Sequence, residues 1–137
     1  MIVLDASVLT DFLLGRQQAI EAIERQLVGH EHDPLHVPDL IEPETLNALR
    51  GLARAGKITD QRAEEAVEDL GRVRLVRYPH APLRRAVWGL RHNLTAYDAT
   101  YLALAEALGD ALLLTADAGL AAAASRSIGA GRVRHIG

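Results

Sequence analysis

Asp5, Glu44, Asp98 and Asp117 are the side chains of this sequence best set to do chemistry together. Asp5 closes the apolar run Ile2-Val3-Leu4, and Asp117 follows Leu112-Leu113-Leu114 after Thr115 and Ala116. Glu44 and Asp98 fall in the first turns of segments whose apolar spacing reads as helical. No Lys or Arg stands within two residues of any of the four, so no sequence neighbour neutralises them. Carboxylates grouped without a cation suit a hard divalent ion, Mg²⁺ or Mn²⁺, which takes oxygen ligands and keeps several waters. The reaction such an ion supports is phosphodiester hydrolysis, through stabilisation of the attacking and leaving oxygens of an in-line displacement. Taken singly, each acid has a plainer role. Asp5 and Asp117 can cap the helices that follow them, and Thr95 with Asp98 matches a capping box. Asp98, however, lies in line with Leu102 and Ala105, at the mouth of a buried stripe where an unpaired charge is costly.

Bringing four such residues to one place is the task of the elements between them. The run Ile2-Val3-Leu4 reads as a strand buried on both faces, at the centre of a parallel sheet, with Ser7 capping the next helix. Open parallel sheets gather their chemistry outside the carboxyl ends of the strands. Helices are expected over 8–14, stopped by Gly15, and over 17–28, stopped by Gly29. A strand at 35–37 precedes a helix over 42–56, whose first turn tolerates Pro43 and holds Glu44. Glu42 and Glu44 are two residues apart and cannot face the same way, so only one joins a shared site. Thr59 or Asp60 caps a helix through Leu70, with Glu64, Glu65, Glu68 and Asp69 on its solvated face. A strand over 73–78 follows, and Pro79 and Pro82 introduce a helix whose Trp88 reads as core or interface, not as a base-stacking platform. A strand over 112–114, a helix over 118–126 and a strand at Val133 complete an α/β domain with a mostly parallel sheet. Right-handed crossovers would bring the four acids to one edge of it. His30, His32 and His36 surround an Asp33-Pro34 step and share no helical turn, so they read as a loop, not a metal centre.

At 137 residues and 49% hydrophobic content, the chain is expected to form one domain, residues 1–137, with a sizeable core. It has no cysteine, which removes disulfides and thiolate metal sites, and no apolar stretch long enough for a membrane span. A cytoplasmic protein without membrane contact is the expectation. The formal charge of −3 argues on its face against a nucleic-acid binder. That argument weakens once the four acids are set aside, because the rest of the chain is close to neutral. Lys57 is its only lysine, and Arg, which supplies the other basic side chains, binds oxyanions bidentately.

Four stretches carry a family resemblance: Ile2-Val3-Leu4-Asp5-Ala6-Ser7; Pro38-Asp39-Leu40 with the run from Glu44 to Arg50; Leu94-Thr95-Ala96-Tyr97-Asp98-Ala99 with the run from Tyr101 to Ala105; and Leu114-Thr115-Ala116-Asp117. In these, and along nearly its whole length, the chain resembles the PIN-domain ribonucleases, and within them the VapC-type toxins of bacterial toxin–antitoxin pairs. The resemblance implies a three-layer α/β/α sandwich around a five-stranded parallel sheet of order 3-2-1-4-5, with the Asp5 strand in the middle. It implies a metal-dependent endoribonuclease using Mg²⁺ or Mn²⁺, with Asp5, Glu44, Asp98 and Asp117 as its acids. In that reading Asp5 and Asp98 are the direct metal ligands, Glu44 and Asp117 hold metal-bound waters or a second ion, and Ser7 and Thr115 are supporting hydroxyls. It further implies an RNA substrate, a VapB-type antitoxin partner and a homodimer. The chain departs from the pattern at Pro43, beside the second acid, and at Asp11, where such toxins more often carry an apolar residue. Two other readings compete. A phosphoryl-transfer domain with Asp5 as nucleophile should carry a Lys near the phosphate, and Lys57 sits at a helix end. A PIN fold that only binds RNA or protein is opposed by the intact set of four acids.

Overall fold

The computed structural model describes every residue from Met1 to Gly137. Five short segments form strands: β1 (Ile2–Leu4), β2 (Leu35–Pro38), β3 (Leu75–Tyr78), β4 (Leu112–Thr115) and β5 (Val133–His135). They build one sheet in the order β3-β2-β1-β4-β5, parallel at every pairing. All of β1 is buried, as a central strand covered on both faces must be, whereas the edge strand β3 exposes Val76 and Arg77. Leu4 lies opposite Leu114, and the backbone N–H of Asp5 continues the ladder to the Leu114 carbonyl at 3.2 Å.

Seven helices connect the strands: α1 (Ala6–Leu13), α2 (Gln17–Gln26), α3 (Ile41–Arg54), α4 (Asp60–Leu70), α5 (Arg84–Gly89), α6 (Ala96–Ala107) and α7 (Ala118–Ile128). The chain moves outward from β1 to β2 to β3, then returns across the sheet to β4 and β5. Right-handed crossovers therefore put α1 to α4 on one face and α5 to α7 on the other. The packing follows that division, since α1 touches α2, α3 and α4, while α6 touches α5 and α7. The strand order reverses between β1 and β4, which makes the crevice beyond their carboxyl ends the natural place for a site.

Helix α6 anchors the second layer. Every residue from Ala99 to Tyr101 and on through Ala105 is buried, because the helix lies across β1, β2 and β4 while α7 and α5 cover its flanks. A helix apolar nearly all round belongs inside, and its first turn is the part that reaches the crevice. No helix is long and apolar enough to cross a membrane.

Several boundaries differ from the sequence expectation for local reasons. Ser7 lies inside the first turn of α1, and Asp5 is the cap, its carboxylate accepting from the Val8 N–H. Helix α2 stops at Gln26 and β3 starts at Leu75, each two residues short of the expected limit. Helix α7 runs two residues beyond Arg126 and ends only at Gly129, whose φ of +93° a side chain would strain. Trp88 is not core. It is 66% exposed on α5.

Candidate active site at the carboxyl edge of the sheet

The four acids come from four separate segments and line one cleft. Asp5 follows β1, Asp117 follows β4, and Glu44 and Asp98 sit in the first turns of α3 and α6. The cleft has a volume of about 260 Å³, and no Lys or Arg lines it.

Asp5 is the most constrained of them, 5% exposed. Its Oδ1 accepts from the Val8 N–H at 3.1 Å and from the Ser7 hydroxyl at 2.5 Å. Its Oδ2 accepts from the Thr115 hydroxyl at 2.5 Å. Ser7 Oγ in turn accepts from the Ala116 N–H, and Thr115 Oγ1 from the Asp117 N–H, both at 3.0 Å. These hydroxyls lace the end of β1 to the end of β4 across the strand-order reversal. Burial pushes the Asp5 carboxyl pKa up, the three donors pull against that shift, and the charge of Asp117 adds to it. Asp117 caps α7 by accepting from the Leu120 N–H at 2.8 Å.

Asp98 settles its capping-box question halfway. Thr95 Oγ1 accepts from the Asp98 N–H at 3.2 Å, but the Asp98 carboxylate returns no bond and has no hydrogen-bond partner in the protein. Instead it faces the cleft half-buried, and its pKa is pushed up to about 6, first by burial and then by the charges of Asp117, Asp5 and Glu44. Each of the other three acids is therefore close enough to be felt there.

Glu44 is held by a residue that sequence reasoning did not single out. The Tyr101 hydroxyl, on α6 and 1% exposed, donates to Glu44 Oε1 at 2.6 Å. Asn47, one turn after Glu44 on α3, is a second unforeseen lining residue. Their signal was the spacing: Tyr101 is three residues beyond Asp98 and Asn47 three beyond Glu44, which puts each pair on one helical face. Glu42 points elsewhere and pairs with Arg77, so a single one of the two neighbouring glutamates joins the cleft.

Of the two departures, Pro43 occupies the third helical position of α3, where its missing N–H has no partner to lose, and Glu44 still reaches the cleft. Asp11 lies outside the cleft and pairs with Arg16 at 3.9 Å. The histidines stay apart, His30 beside Asp33 and His36 against the Tyr78 hydroxyl at 2.8 Å.

The donor set consists of oxygen atoms alone, and their mutual repulsion lacks a positive partner, which fits a hard cation. No three Asp, Glu or His side chains stand close enough to close on one ion together. The acids instead ring a space that, at roughly 30 Å³ per water, has room for an ion retaining much of its hydration shell. That arrangement fits Mg²⁺ or Mn²⁺, held in part through water.

Comparison with known proteins agrees with this geometry. The profile of the PIN domain family matches residues 2–125. The VapC ribonuclease Mb0985 of Mycobacterium bovis is 43% identical over 117 residues, covering 85% of this chain and 86% of that protein. Ribonuclease VapC1 of Mycobacterium tuberculosis is 38% identical over 122 residues, covering 88% of this chain and 89% of its own. Among solved structures, the crystal structure of PAE2754 from Pyrobaculum aerophilum superposes with a TM-score of 0.64 at 27% identity, over 89% of this chain and 78% of that one. With the match extending from β1 into α7, past all four acids, the chain belongs to the PIN-domain family and, within it, groups with the VapC ribonucleases.

Proposed function

We propose that this protein is a divalent-metal-dependent endoribonuclease, acting as the toxin of a toxin–antitoxin pair, with Asp5, Glu44, Asp98 and Asp117 as its catalytic acids. The observation that carries the reading is the convergence of four carboxylates on one cleft free of cationic side chains, in a relative of proteins named ribonucleases. When bound, Mg²⁺ or Mn²⁺ supplies positive charge for the in-line displacement at phosphorus. The chain's own contribution is to hold the carboxylates. Asp5 is fixed at three points by Ser7, Val8 and Thr115, and Glu44 by Tyr101, so these two need little reordering when an ion arrives. Asp98, without an internal partner, is the acid freest to bind directly, and with Asp5 it forms our assignment of the metal ligands. Asp117, tied to α7 as its cap, suits a role through bound water.

Hydrolysis of this kind breaks the bond from phosphorus to the 3′ oxygen. Purified protein with Mn²⁺ should therefore cleave single-stranded or loop RNA to leave a 5′-phosphate and a 3′-hydroxyl. A 2′,3′-cyclic phosphate, or full activity in EDTA, would refute the mechanism. The toxin role, the VapB-type antitoxin and the homodimer form one further part of the proposal. Expression of this chain alone should arrest growth and co-expression of the cognate antitoxin should restore it; normal growth with soluble protein present argues against that role.

A further inference from the structure

Beside the acidic cleft, between α5 and the start of α6, lies a groove of about 890 Å³, larger than the cleft itself. Two exposed aromatic side chains stand in it, Trp88 at 66% and Tyr97 at 60%. Arg84, Arg91 and His80 line the same groove, and no carboxylate does. Neither arginine is in an ion pair. The Arg91 guanidinium lies 4.6 Å from the centre of the Trp88 ring, and its Nη1 donates to the Trp88 carbonyl at 3.0 Å. An indole left open beside a stacked cation offers a base a flat partner and its phosphate a positive one.

Groove and cleft are adjoining stripes of one helix. In α6, Tyr97 and Thr100 line the groove, while Asp98 and Tyr101 line the cleft. A polyanion with one phosphate at the acids would therefore pass directly from the negative cleft into a positive, aromatic channel. A second copy of the chain suits this face less well. A two-fold contact sets the same patch against itself, so Arg84 and Arg91 would meet their own kind with no carboxylate in the groove to offset them.

Resting on the ribonuclease reading of the cleft, we propose that the Trp88–Tyr97 groove binds unpaired nucleotides of the RNA flanking the scissile bond, by stacking bases on the two rings while Arg84 and Arg91 bind phosphates.

Trp88 is the only tryptophan, so its emission reports the groove directly. The probe is a single-stranded oligoadenylate of roughly ten nucleotides, a length that single-strand grooves commonly span. Titrated into the intact protein in EDTA, it should quench Trp88 emission, and a duplex of matching length should bind more weakly. By anisotropy of a labelled oligoadenylate, Trp88→Ala should raise Kd about tenfold, and Trp88→Phe should restore most of the loss. Arg91→Ala should weaken binding and lower the slope of log K against log salt by about one. An unquenched Trp88 together with unchanged Kd in Trp88→Ala overturns the proposal. So does a Trp88 emission that shifts with protein concentration as copies associate, which assigns the face to self-association. Cleavage with Mn²⁺ separates the two readings. RNA cut by a protein whose Trp88 does not respond leaves the nuclease and removes the groove; quenching and the Trp88→Ala loss in a protein that cuts nothing leave the groove and remove the nuclease.

Discussion

A carboxylate poised to receive a cation needs something to hold it while the cation is absent, and the four acids are held unequally. Glu44 depends on Tyr101, whose hydroxyl has its pKa raised by burial and then by the Glu44 carboxylate, so it remains a donor at every working pH. Tyr101→Phe removes that donor and leaves the ring in the core. The variant should lose about 1.5–3 kcal/mol of stability in chemical denaturation, the size of a hydrogen bond to a charged group. On the proposed reading its apparent affinity for Mn²⁺ should weaken by about tenfold, the low end of what deleting an outer partner of a metal site costs. A Mn²⁺ titration followed by cleavage rate checks this, and an unchanged half-saturation point would limit Tyr101 to packing.

Two helices begin at residues of the cleft, and there the structural and chemical roles of an acid can be separated. Asp117 caps α7 through the Leu120 N–H while its charge raises the pKa of Asp98 and of Asp5. Asn caps as well as Asp but carries no charge. Asp117→Asn should therefore leave the metal-free protein as stable or more stable, whereas Asp117→Ala should be less stable than Asp117→Asn by about 1 kcal/mol, the value of a cap. Thermal melts of the two variants at neutral pH measure the difference directly. Equal melting points would show that α7 does not need its cap.

Across the whole molecule, the cleft makes the metal-free fold sensitive to pH. The Asp98 carboxyl rises from 3.8 in an open chain to about 6 in the folded protein, and Asp5 moves in the same direction. Below the lower value both states are protonated and no penalty arises. Between the two, the unfolded chain ionises first, so the metal-free protein should lose stability as pH rises from about 4 to about 6 and then level off. Asp98→Asn should flatten that fall. On the proposed reading the ionised acids of the folded state are what takes Mn²⁺, so the stabilisation it gives should grow over the same interval, reaching about 2.7 kcal/mol at one hundred times Kd. Asp98→Asn should reduce that gain and abolish cleavage. Melting curves across this range, with and without Mn²⁺, test the set together; a full metal response in Asp98→Asn would remove Asp98 from the metal ligands.

The strands, the helix starts and the four acids were legible in the sequence because each depends on near neighbours: apolar runs ended by Asp5 or by Thr115-Ala116-Asp117, a Thr95 to Asp98 cap, and Pro43 in a first turn. Local rules also required that only one of Glu42 and Glu44 could join a shared site, and Glu42 is the one drawn away, by Arg77. What no local rule could assign was contact across the fold. Tyr101 reaches Glu44 over 57 positions because α6 lies against β2, the strand that leads into α3, and Thr115 reaches Asp5 over 110 because β1 and β4 pair where the strand order reverses. Trp88 was expected in the core or at an interface, and the structure removes the first of these. Its helical spacing from apolar neighbours suggested burial, but burial depends on what lies opposite, and nothing in the fold covers that side of α5.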